Sequence, residues 1–571
     1  MVAVYIDKNL DQYNRKIKYT IDFIFSTLGY NFKYISRIPD IKENDIILYY
    51  GLVQPSIEEA YVVGYNKVIF FVPFEPELLI PGRLAYDHLA KYMRDIYISA
   101  HVPVISKNKI TDPINCMNIE ELYYGIFHFD IIGNIFFHLV EYENYNTKEL
   151  DKFGRKYSTK TNFYKHMDSP YVNSLLWFLE NCLLDAIEGF GSYYLIKKEY
   201  WPKGESCAIG LSHNVDKLEK WKIASIVKSF FEDFLYFYNV KYVFNNATSK
   251  LKYFLTNIEE YWNFGFIKEL EDNNKIKSTY FWGTHSEHHF DVDYKIDEQD
   301  VRAEIHDLFN RGNDIGLLAS YFSNKSDLHE KQKKEIHALT HSKQIGIRQI
   351  KYRYDNRDTP KLHNKNGFYY DSSFALFEKC GFRSGIGFPF YIYSPDRIKH
   401  LSDKNPFNEN ECLEIPLMFS DETLKTSKTR QISLEKARKI IVRLLDAVKK
   451  FNGFISLDFS VPNFYDIKYH EKLYDFLIKK IKQQKAYVAT LLEIALWWKN
   501  RNTVNIKELS PTSFSIFFPN ETKSFILTIH GDRKIREVEN ANYKVENNRL
   551  IFSNLKASTF FEIEFENNEP E

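Results

Sequence analysis

The feature that most constrains the fold is a short apolar run that ends in polar residues. Residues 207–216 read Cys-Ala-Ile-Gly-Leu-Ser-His-Asn-Val-Asp. In a parallel sheet or barrel, a buried apolar strand that ends in polar residues places those side chains at the open end, or mouth, of the barrel. Residues 314–321 and 346–352 repeat the pattern. The repetition therefore predicts an α/β core in which several strands end at one polar mouth.

Length and charge limit the range of functions. At 571 residues the chain is too long for one hydrophobic core, and we expect about two to four domains. Lysine plus arginine equals aspartate plus glutamate, at 76 each. The chain therefore has no net charge that would attract it to nucleic acid or to an anionic membrane.

The cysteines and the start of the chain indicate a cellular compartment. Five cysteines are spread along the sequence, at Cys116, Cys182, Cys207, Cys380 and Cys412. Their odd number and wide spacing argue against a disulfide framework and against a cysteine-type zinc site. No signal peptide is visible at the first residues, and no run approaches the ~20 apolar residues of a membrane span. We expect a cytoplasmic protein without a membrane span.

Changes of pattern predict three domains. Residues 1–200 alternate strand-like and helix-like segments, which is typical of an α/β domain. Residues 201–204 (Trp-Pro-Lys-Gly) contain two structure breakers and mark a border. We place the barrel core at residues 201–504, including an amphipathic helix at 221–238. The short alternating segments of residues 505–571 predict a small β-sandwich.

A polar cluster near the end of the first domain has two possible roles. His138, Glu141 and Glu143 lie close together in the sequence, and such groups can form a metal or acid/base site. We expect instead the end of an amphipathic helix with solvated carboxylates.

Three strand ends resemble motifs of the polysaccharide deacetylase family (carbohydrate esterase family 4), in a subgroup with a long N-terminal domain. They are residues 212–216 (Ser-His-Asn-Val-Asp), 315–320 (Ile-Gly-Leu-Leu-Ala-Ser) and 348–352 (Arg-Gln-Ile-Lys-Tyr). In that subgroup they usually read Thr-His-Asp-Val-Asp, Ile-Gly-Leu-His-Pro-Ser and Arg-Gln-His-Tyr. Residues 367–390 are similar to a further family region. The resemblance implies a deacetylase-type distorted (β/α) barrel for residues 201–504.

The resemblance also implies a metal site, from which this chain departs. In the family an aspartate and two histidines hold a zinc-type ion, a second aspartate is the base and another histidine is the acid. Four of these positions are replaced: the base by Asn214, the two ligand histidines by Leu318 and Ile350, and the acid by Phe459 or a neighbour. Asp216 remains as a metal ligand, and His213 is a second candidate. A neutral amide cannot accept a proton at any working pH, so we assign no catalytic residue.

Other side chains are predicted to line a substrate groove. By resemblance, the substrate-binding candidates are Asp216, Arg348, Tyr352, Asp371 and Arg383, together with aromatic residues such as Tyr370 and Phe388. Sugars bind to stacked aromatic faces and paired polar groups. The alternative is that Arg383 and Asp371 pair with each other or cap loops.

These observations leave three hypotheses. The first is a catalytically impaired relative that binds a glycan or a glycan-assembly partner in surface polysaccharide metabolism, with no cofactor. The second is an active amide hydrolase that holds a zinc-type ion through relocated ligands, drawn from Asp216, His213 and the group His285, His288 and His289. The third is a structural or interaction protein in which the barrel is a spacer.

Overall fold

The computed structural model describes most of the chain. The described residues are 1–36, 46–56, 58, 68–80, 91–95, 97, 100–119, 122–145, 147–188, 193–221, 229, 235, 240–256, 259–323, 328–394, 411–427, 430–465, 467–536 and 543–566. The helix predicted at 221–238 falls, apart from three residues, outside them. Among the helices that are described, none has the length and apolar character needed to cross a bilayer.

The first part of the chain is an α/β unit built on a mainly parallel sheet. The strand order is β2-β1-β3-β4-β8-β7, with β7 antiparallel at one edge. Its strands, and a separate β5–β6 hairpin, are β1 (Val2–Ile6), β2 (Phe32–Ile35), β3 (Ile46–Gly51), β4 (Val68–Pro73), β5 (Lys91–Asp95), β6 (Ala100–Val104), β7 (Ile114–Ile119) and β8 (Leu122–Phe127). The helices are α1 (Asn14–Leu28), α2 (Ile131–Leu139) and α3 (Tyr171–Glu188). The α/β pattern predicted for this region is present.

A second, larger sheet contains the strand ends recognised in the sequence. Its order is β15-β14-β13-β12-β11-β10-β19-β16, β20 also pairs with β10, and all of these pairs are parallel. After β9 (Leu195–Lys198) the strands are β10 (Cys207–Val215), β11 (Thr279–Trp282), β12 (Asp314–Ala319), β13 (Gly346–Gln349), β14 (Tyr370–Asp371), β15 (Leu413–Glu414), β16 (Phe419–Ser420), the hairpin β17 (Lys425–Ser427) and β18 (Arg430–Gln431), β19 (Phe454–Asp458) and β20 (Ala486–Ala489). Every residue of β10 is buried, as expected for a central strand with both faces covered.

This parallel sheet is curled into a barrel-like form. Its end strands β15 and β16 are joined by residues 415–418 alone, between Glu414 and Phe419. Eight strands laid flat would separate these ends by roughly 34 Å, whereas five extended steps of chain reach at most about 18 Å. The sheet must therefore curve until its edges approach, and Leu417 forms a bridge with Ala375 near the end of β14.

Helices alternate with these strands, and several of them pack on the sheet. They are α4 (Val240–Thr256), α5 (Phe264–Asn273), α6 (Gln299–Asn310), α7 (Leu328–Thr340), α8 (Thr359–Lys365), α9 (Leu434–Lys450), α10 (Lys472–Lys482) and α11 (Leu491–Thr503). α11 begins with a capping box in which Thr490 and Glu493 satisfy each other's backbone N–H groups.

The last part of the chain forms two antiparallel sheets around their own apolar core. One has the order β21-β22-β26 and the other β24-β25-β23-β9. The strands are β21 (Asn505–Ser510), β22 (Ser513–Phe518), β23 (Thr522–His530), β24 (Tyr543–Glu546), β25 (Arg549–Leu555) and β26 (Thr559–Glu564). The β9 strand precedes the barrel in sequence, so the C-terminal sheets include a segment from the region predicted as the first domain.

A buried arginine joins the three parts. The guanidinium of Arg501, in α11, donates hydrogen bonds to the carbonyls of Ser26 and Thr27 at the end of α1, and to those of Lys198 and Glu199 at β9. The last carbonyls of a helix have no partner within the helix and carry partial negative charge. Burial lowers the pKa of Arg501 to about 10, so the side chain stays charged at neutral pH.

We predict that Arg501→Met lowers the free energy of unfolding by about 2–4 kcal/mol, because it leaves buried carbonyls without donors. Urea unfolding measures the change. Arg536→Met is the matched control: it removes an exposed ion pair with Glu564 and should cost less than about 1 kcal/mol. Equal stability of the two variants would argue against a joining role for Arg501.

Candidate functional site

The ends of three strands of the curled sheet bring polar side chains together inside the barrel. Ser212 and Asn214 lie on β10, Arg348 lies on β13 and Asp458 ends β19. Side chains alternate between the two faces of a strand, so Ser212 and Asn214 share the inner face while His213 points the other way. The predicted convergence of strand ends is therefore present in the fold.

Asp458 is the centre of this group. Its Oδ1 accepts hydrogen bonds from Ser212 Oγ at 3.0 Å and from Arg348 Nη1 at 2.5 Å. Its Oδ2 accepts from Asn214 Nδ2 at 3.0 Å and from the Tyr352 hydroxyl at 2.9 Å. Asp458 is fully buried, and the four donors occupy the lone-pair positions that a carboxylate offers.

Arg348 is the counter-charge of Asp458 and is equally buried. Its Nη1 also donates to Asn214 Oδ1 at 3.0 Å, and its other nitrogens donate to the carbonyl and hydroxyl oxygens of Ser372 at 3.0 and 2.9 Å. The guanidinium lies 4.1 Å from the ring centre of Phe281, a cation–π contact. All three guanidinium nitrogens are thus hydrogen-bonded within the protein.

Asn214 fits this network in a way that aspartate would not. Its amide donates to Asp458 and Tyr352 and accepts from Arg348. An ionised aspartate can only accept, and it would place a second negative charge beside Asp458. Burial raises the pKa of Asp458, while the Arg348 guanidinium opposes that shift. Burial also holds the pKa of Tyr352 well above its ordinary value, so Tyr352 remains a protonated donor.

A strained turn after β13 directs two consecutive side chains to two different carboxylates. Lys351 and Tyr352 both have positive φ, at 56° and 54°, which is uncommon outside glycine and characteristic of functional or strained positions. The turn sends the Tyr352 hydroxyl to Asp458 and the Lys351 amine to Asp216, where Nζ lies 3.0 Å from Oδ2. Burial alone would lower the pKa of Lys351, but Asp216 and Glu422 raise it. Asp216 is therefore neutralised by a lysine.

Charged groups continue from Asp216 and Lys351 around the mouth. Lys425 Nζ donates to Glu422 Oε1 at 2.6 Å and to Asn463 Oδ1 at 2.9 Å. Burial would raise the pKa of Glu422, but Lys425 and Lys351 lower it to about 2. We call these five residues, Asp216, Lys351, Glu422, Lys425 and Asn463, the polar rim.

Three of the four residues at the positions that the resemblance marks as replaced, Leu318, Ile350 and Phe459, are apolar and buried. Leu318 lies in register beside Arg348, and Leu318 and Ile350 are both nearly inaccessible. Phe459 stacks on Phe419 with ring centres 5.1 Å apart. None of these side chains can bind a metal or transfer a proton.

His213 is engaged outside the barrel interior. Its Nδ1 lies 2.7 Å from the Phe459 carbonyl and its Nε2 lies 3.1 Å from Glu271 Oε1. Across the described ranges, no three His, Cys, Asp or Glu side chains stand close enough together to hold a metal ion. Asp216 Oδ1 is a buried oxygen without a hydrogen-bond partner, yet one carboxylate does not make a zinc site. The donor set around Asp216 does not fit the ion that the resemblance implies.

The histidine-rich loop after β11 has its own contacts. His285 Nε2 lies 2.7 Å from Glu287 Oε1. His288 stacks on Tyr321 with ring centres 4.2 Å apart and neighbours His289 at 4.1 Å.

Asp371 and Arg383 do not pair with each other through any contact the structure gives. His363 Nδ1 lies 2.8 Å from Asp371 Oδ2, and Asp371 Oδ1 accepts a hydrogen bond from the backbone N–H of Ser373 at 2.9 Å. Arg383 makes two parallel hydrogen bonds of 2.7 Å to Glu141, in the N-terminal part of the chain. Such a bidentate pair is strong and geometrically specific.

The expectation of solvated carboxylates after α2 is wrong for Glu141. This residue is only 8% exposed and has a left-handed φ of 51°. The turn carries its carboxylate back to Arg383. His138 is also buried, and burial lowers its pKa to about 3.

Several residues of the site were missed by the sequence interpretation: Asp458, Lys351, and Glu422, Lys425 and Asn463 of the polar rim. Asp458 directly follows an apolar strand, the same signal that identified Asn214 and Arg348, so the pattern was available. Lys351 gave no comparable signal, because its role depends on a positive φ that the sequence does not indicate.

Residues 4–188 match the model of DUF7033, a family of unknown function. Comparison with curated proteins gives no match.

Several solved structures are similar in part. A candidate polysaccharide deacetylase from Mycobacterium smegmatis is 16% identical, with 54% of this chain and 97% of that chain covered and a TM-score of 0.35. PuuE allantoinase is 14% identical, with 52% and 92% covered and a TM-score of 0.33. Agd3, described as a carbohydrate deacetylase, is 9% identical, with 99% and 98% covered and a TM-score of 0.33. These scores lie below 0.5, so the fold assignment rests on the strand order given above.

We predict that Asp458→Asn lowers the free energy of unfolding by about 3–5 kcal/mol, because Arg348 is left as a buried charge without its counter-ion. Chemical denaturation measures the loss. Asp475→Asn removes an exposed carboxylate paired with Lys479 and should change stability by less than about 1 kcal/mol. If Asp458→Asn were no more harmful than this control, the ion pair would not organise the barrel interior.

Proposed function

We propose that the chain is a polysaccharide-deacetylase-like protein without deacetylase activity, which binds a glycan or a glycan-assembly protein at the barrel mouth in surface polysaccharide metabolism. The observation that carries this proposal is that both oxygens of the Asp458 carboxylate are occupied by hydrogen bonds. The donors are Ser212, Asn214, Arg348 and Tyr352. The strand-end motifs and the curled parallel sheet support the family comparison.

Hydrolysis of an acetamide needs an activated water and a group that takes its proton. The amide of Asn214 cannot take a proton, and Asp458 is buried with its oxygens occupied. Arg348 supplies the positive charge at the strand ends, but it cannot generate hydroxide from water in the way that a zinc ion does. The strand ends therefore hold a neutralised pair of charges, and they offer neither an activated water nor a group that takes its proton.

The polar rim offers contacts that suit a sugar. Glu422, Lys425 and Asn463 form a hydrogen-bonded group of donors and acceptors, in which the side chains of Glu422 and Lys425 are each 36% exposed and Asn463 is buried. Tyr465 lies two residues after Asn463 in the sequence, is 45% exposed and meets Tyr261 edge-on at 5.7 Å. Aromatic faces beside paired polar groups are a common arrangement for carbohydrate recognition.

The predicted substrate residues take different parts in this proposal. Asp216 lies on the polar rim and would contact the ligand. Arg348 and Tyr352 would act indirectly, by holding Asp458 and the turn that positions Lys351. Asp371 and Arg383 would support the barrel through His363 and Glu141.

Metal content and acetate release test the inactive part of the proposal. We expect purified protein to contain far less than one zinc per chain and to release no acetate from N-acetylated oligosaccharides. Asn214→Asp should remain inactive, because the missing ligands are not restored. Stoichiometric zinc together with acetate release by the unchanged chain would contradict the proposal.

Direct binding tests the glycan part. Ligand-detected NMR with a panel of N-acetylated and deacetylated oligosaccharides should reveal a ligand. Tyr465→Ala should weaken the affinity for that ligand about tenfold, because an aromatic contact worth roughly 1–1.5 kcal/mol is lost. Phe560→Ala, which removes a comparably exposed ring on β26, is the matched control. Equal weakening by both variants, or no ligand in the panel for the unchanged chain, would count against a sugar site at the mouth.

A further inference from the structure

Residues 150–156, which we call the Asp151 loop, form a turn in the N-terminal part of the chain that is closed by one aspartate. Asp151 Oδ1 accepts hydrogen bonds from the backbone N–H groups of Phe153 and Arg155, both at 2.9 Å. Asp151 Oδ2 accepts two more from the Arg155 guanidinium, at 2.9 Å from Nε and 2.7 Å from Nη2. A bidentate pair of this kind is geometrically specific, so the guanidinium has a fixed direction.

The third nitrogen of this guanidinium reaches the barrel mouth. Arg155 Nη1 donates to the carbonyl of Lys351 at 2.9 Å. That carbonyl belongs to the peptide between Lys351 and Tyr352, the two residues with positive φ in the turn after β13. The guanidinium also lies 3.8 Å from the ring centre of Phe377 and 4.6 Å from that of Phe153, and these cation–π contacts hold it in place. The hydrogen bond therefore fixes the orientation of the strained peptide.

The neighbours of Arg155 contact the same stretch of the barrel. Gly154 has a φ of 78° and lies so close to Arg353 that an added Cβ atom would be 2.9 Å from its Nε. Lys156 Nζ lies 3.2 Å from Asp355 Oδ2. Three consecutive residues of the Asp151 loop thus meet positions 351, 353 and 355. Strained conformations persist only where the surrounding structure holds them, and this loop supplies that support.

We infer that the Asp151 loop is a clamp on the turn after β13, and that Arg155 positions Lys351 on the polar rim. The turn holds Lys351 Nζ 3.0 Å from Asp216 Oδ2. The loop lies within the residues that match DUF7033, so the inference gives this part of the chain a role at the barrel mouth. Its consequence for glycan binding rests on the proposed function, whereas the positioning of Lys351 does not.

Amine labelling of the full folded chain tests the clamp. An N-hydroxysuccinimide ester of acetic acid reacts with free amines and only slowly with a protonated lysine paired to a carboxylate, and mass spectrometry of peptides gives the rate at Lys351. Arg155→Met removes the hydrogen bond to the Lys351 carbonyl. We expect the rate to rise about fivefold or more, because the amine leaves Asp216 and loses the neighbouring charge that raises its pKa.

Two further variants make the test specific. Arg155→Lys should raise the rate as Arg155→Met does, since an ammonium does not provide the fixed directions needed to bind Asp151 twice and the carbonyl as well. Lys379→Met is the matched control, because it removes an ion pair of 2.9 Å with Asp168 that joins the same two parts of the chain and involves neither the Asp151 loop nor the turn. It should leave the Lys351 rate within about twofold of the unchanged chain.

Circular dichroism and melting temperature show which variants are folded. If Arg155→Met does not fold, Gly154→Ala takes its place with the same expectation, because the added methyl group displaces the loop from Arg353. A Lys351 rate equal to that of the unchanged chain would overturn the clamp. An equal rise in Lys379→Met would also overturn it, since the effect would then be a general loosening of the two parts.

Affinity for the ligand found by NMR separates this inference from the proposed function. Arg155→Met should weaken that affinity about tenfold, because Lys351 leaves the polar rim, and Lys379→Met should not change it. A raised Lys351 rate with unchanged affinity would support the clamp and contradict a glycan site at the polar rim. The same labelling result without any ligand in the panel would again support the clamp and count against the proposed function.

Discussion

The structure depends on one buried ion pair, between Arg348 and Asp458. Removing two charges from water costs several kcal/mol for each ion, and attraction offsets this cost only when the remaining hydrogen-bonding groups are satisfied. Here β10, β13 and β19 supply the partners, with Ser372 after β14. The pair therefore fixes how the strands meet. It also uses the lone pairs that a catalytic carboxylate or a metal ligand would need, so the same contacts that stabilise the barrel limit its chemistry.

Two other buried arginines extend this principle to the rest of the chain. Arg383 joins the barrel to Glu141 in the N-terminal part, and Arg501 joins the end of α1 to β9. Each guanidinium binds several acceptors in fixed directions, which a lysine cannot do equally well. The parts of the protein are thus held by polar contacts of defined geometry as well as by apolar packing.

Much of the fold was predictable from the sequence, since apolar strands that end in polar residues gave β10, β12 and β13 and their shared mouth. The positions of Asn214 and Leu318 in the strand ends were equally predictable. The pairing of these residues was not. Glu141 and Arg383 are 242 positions apart, and hydrophobic periodicity contains no information about a partner at that distance. The roles of Lys351 and Tyr352 depend on two consecutive positive φ angles, and neither residue type favours that conformation.

The central claim is that the buried charge of Arg348, and not a metal ion, neutralises Asp458 where the strand ends meet. The most direct measurement is anomalous X-ray scattering at the zinc edge from crystals grown with excess zinc. The account predicts no zinc peak within about 3 Å of the carboxylates of Asp216 or Asp458, since zinc bonds are ~2 Å long, and Arg348 Nη1 within hydrogen-bond distance of Asp458 Oδ1. A strong peak bound to either carboxylate, with Arg348 displaced, would contradict it.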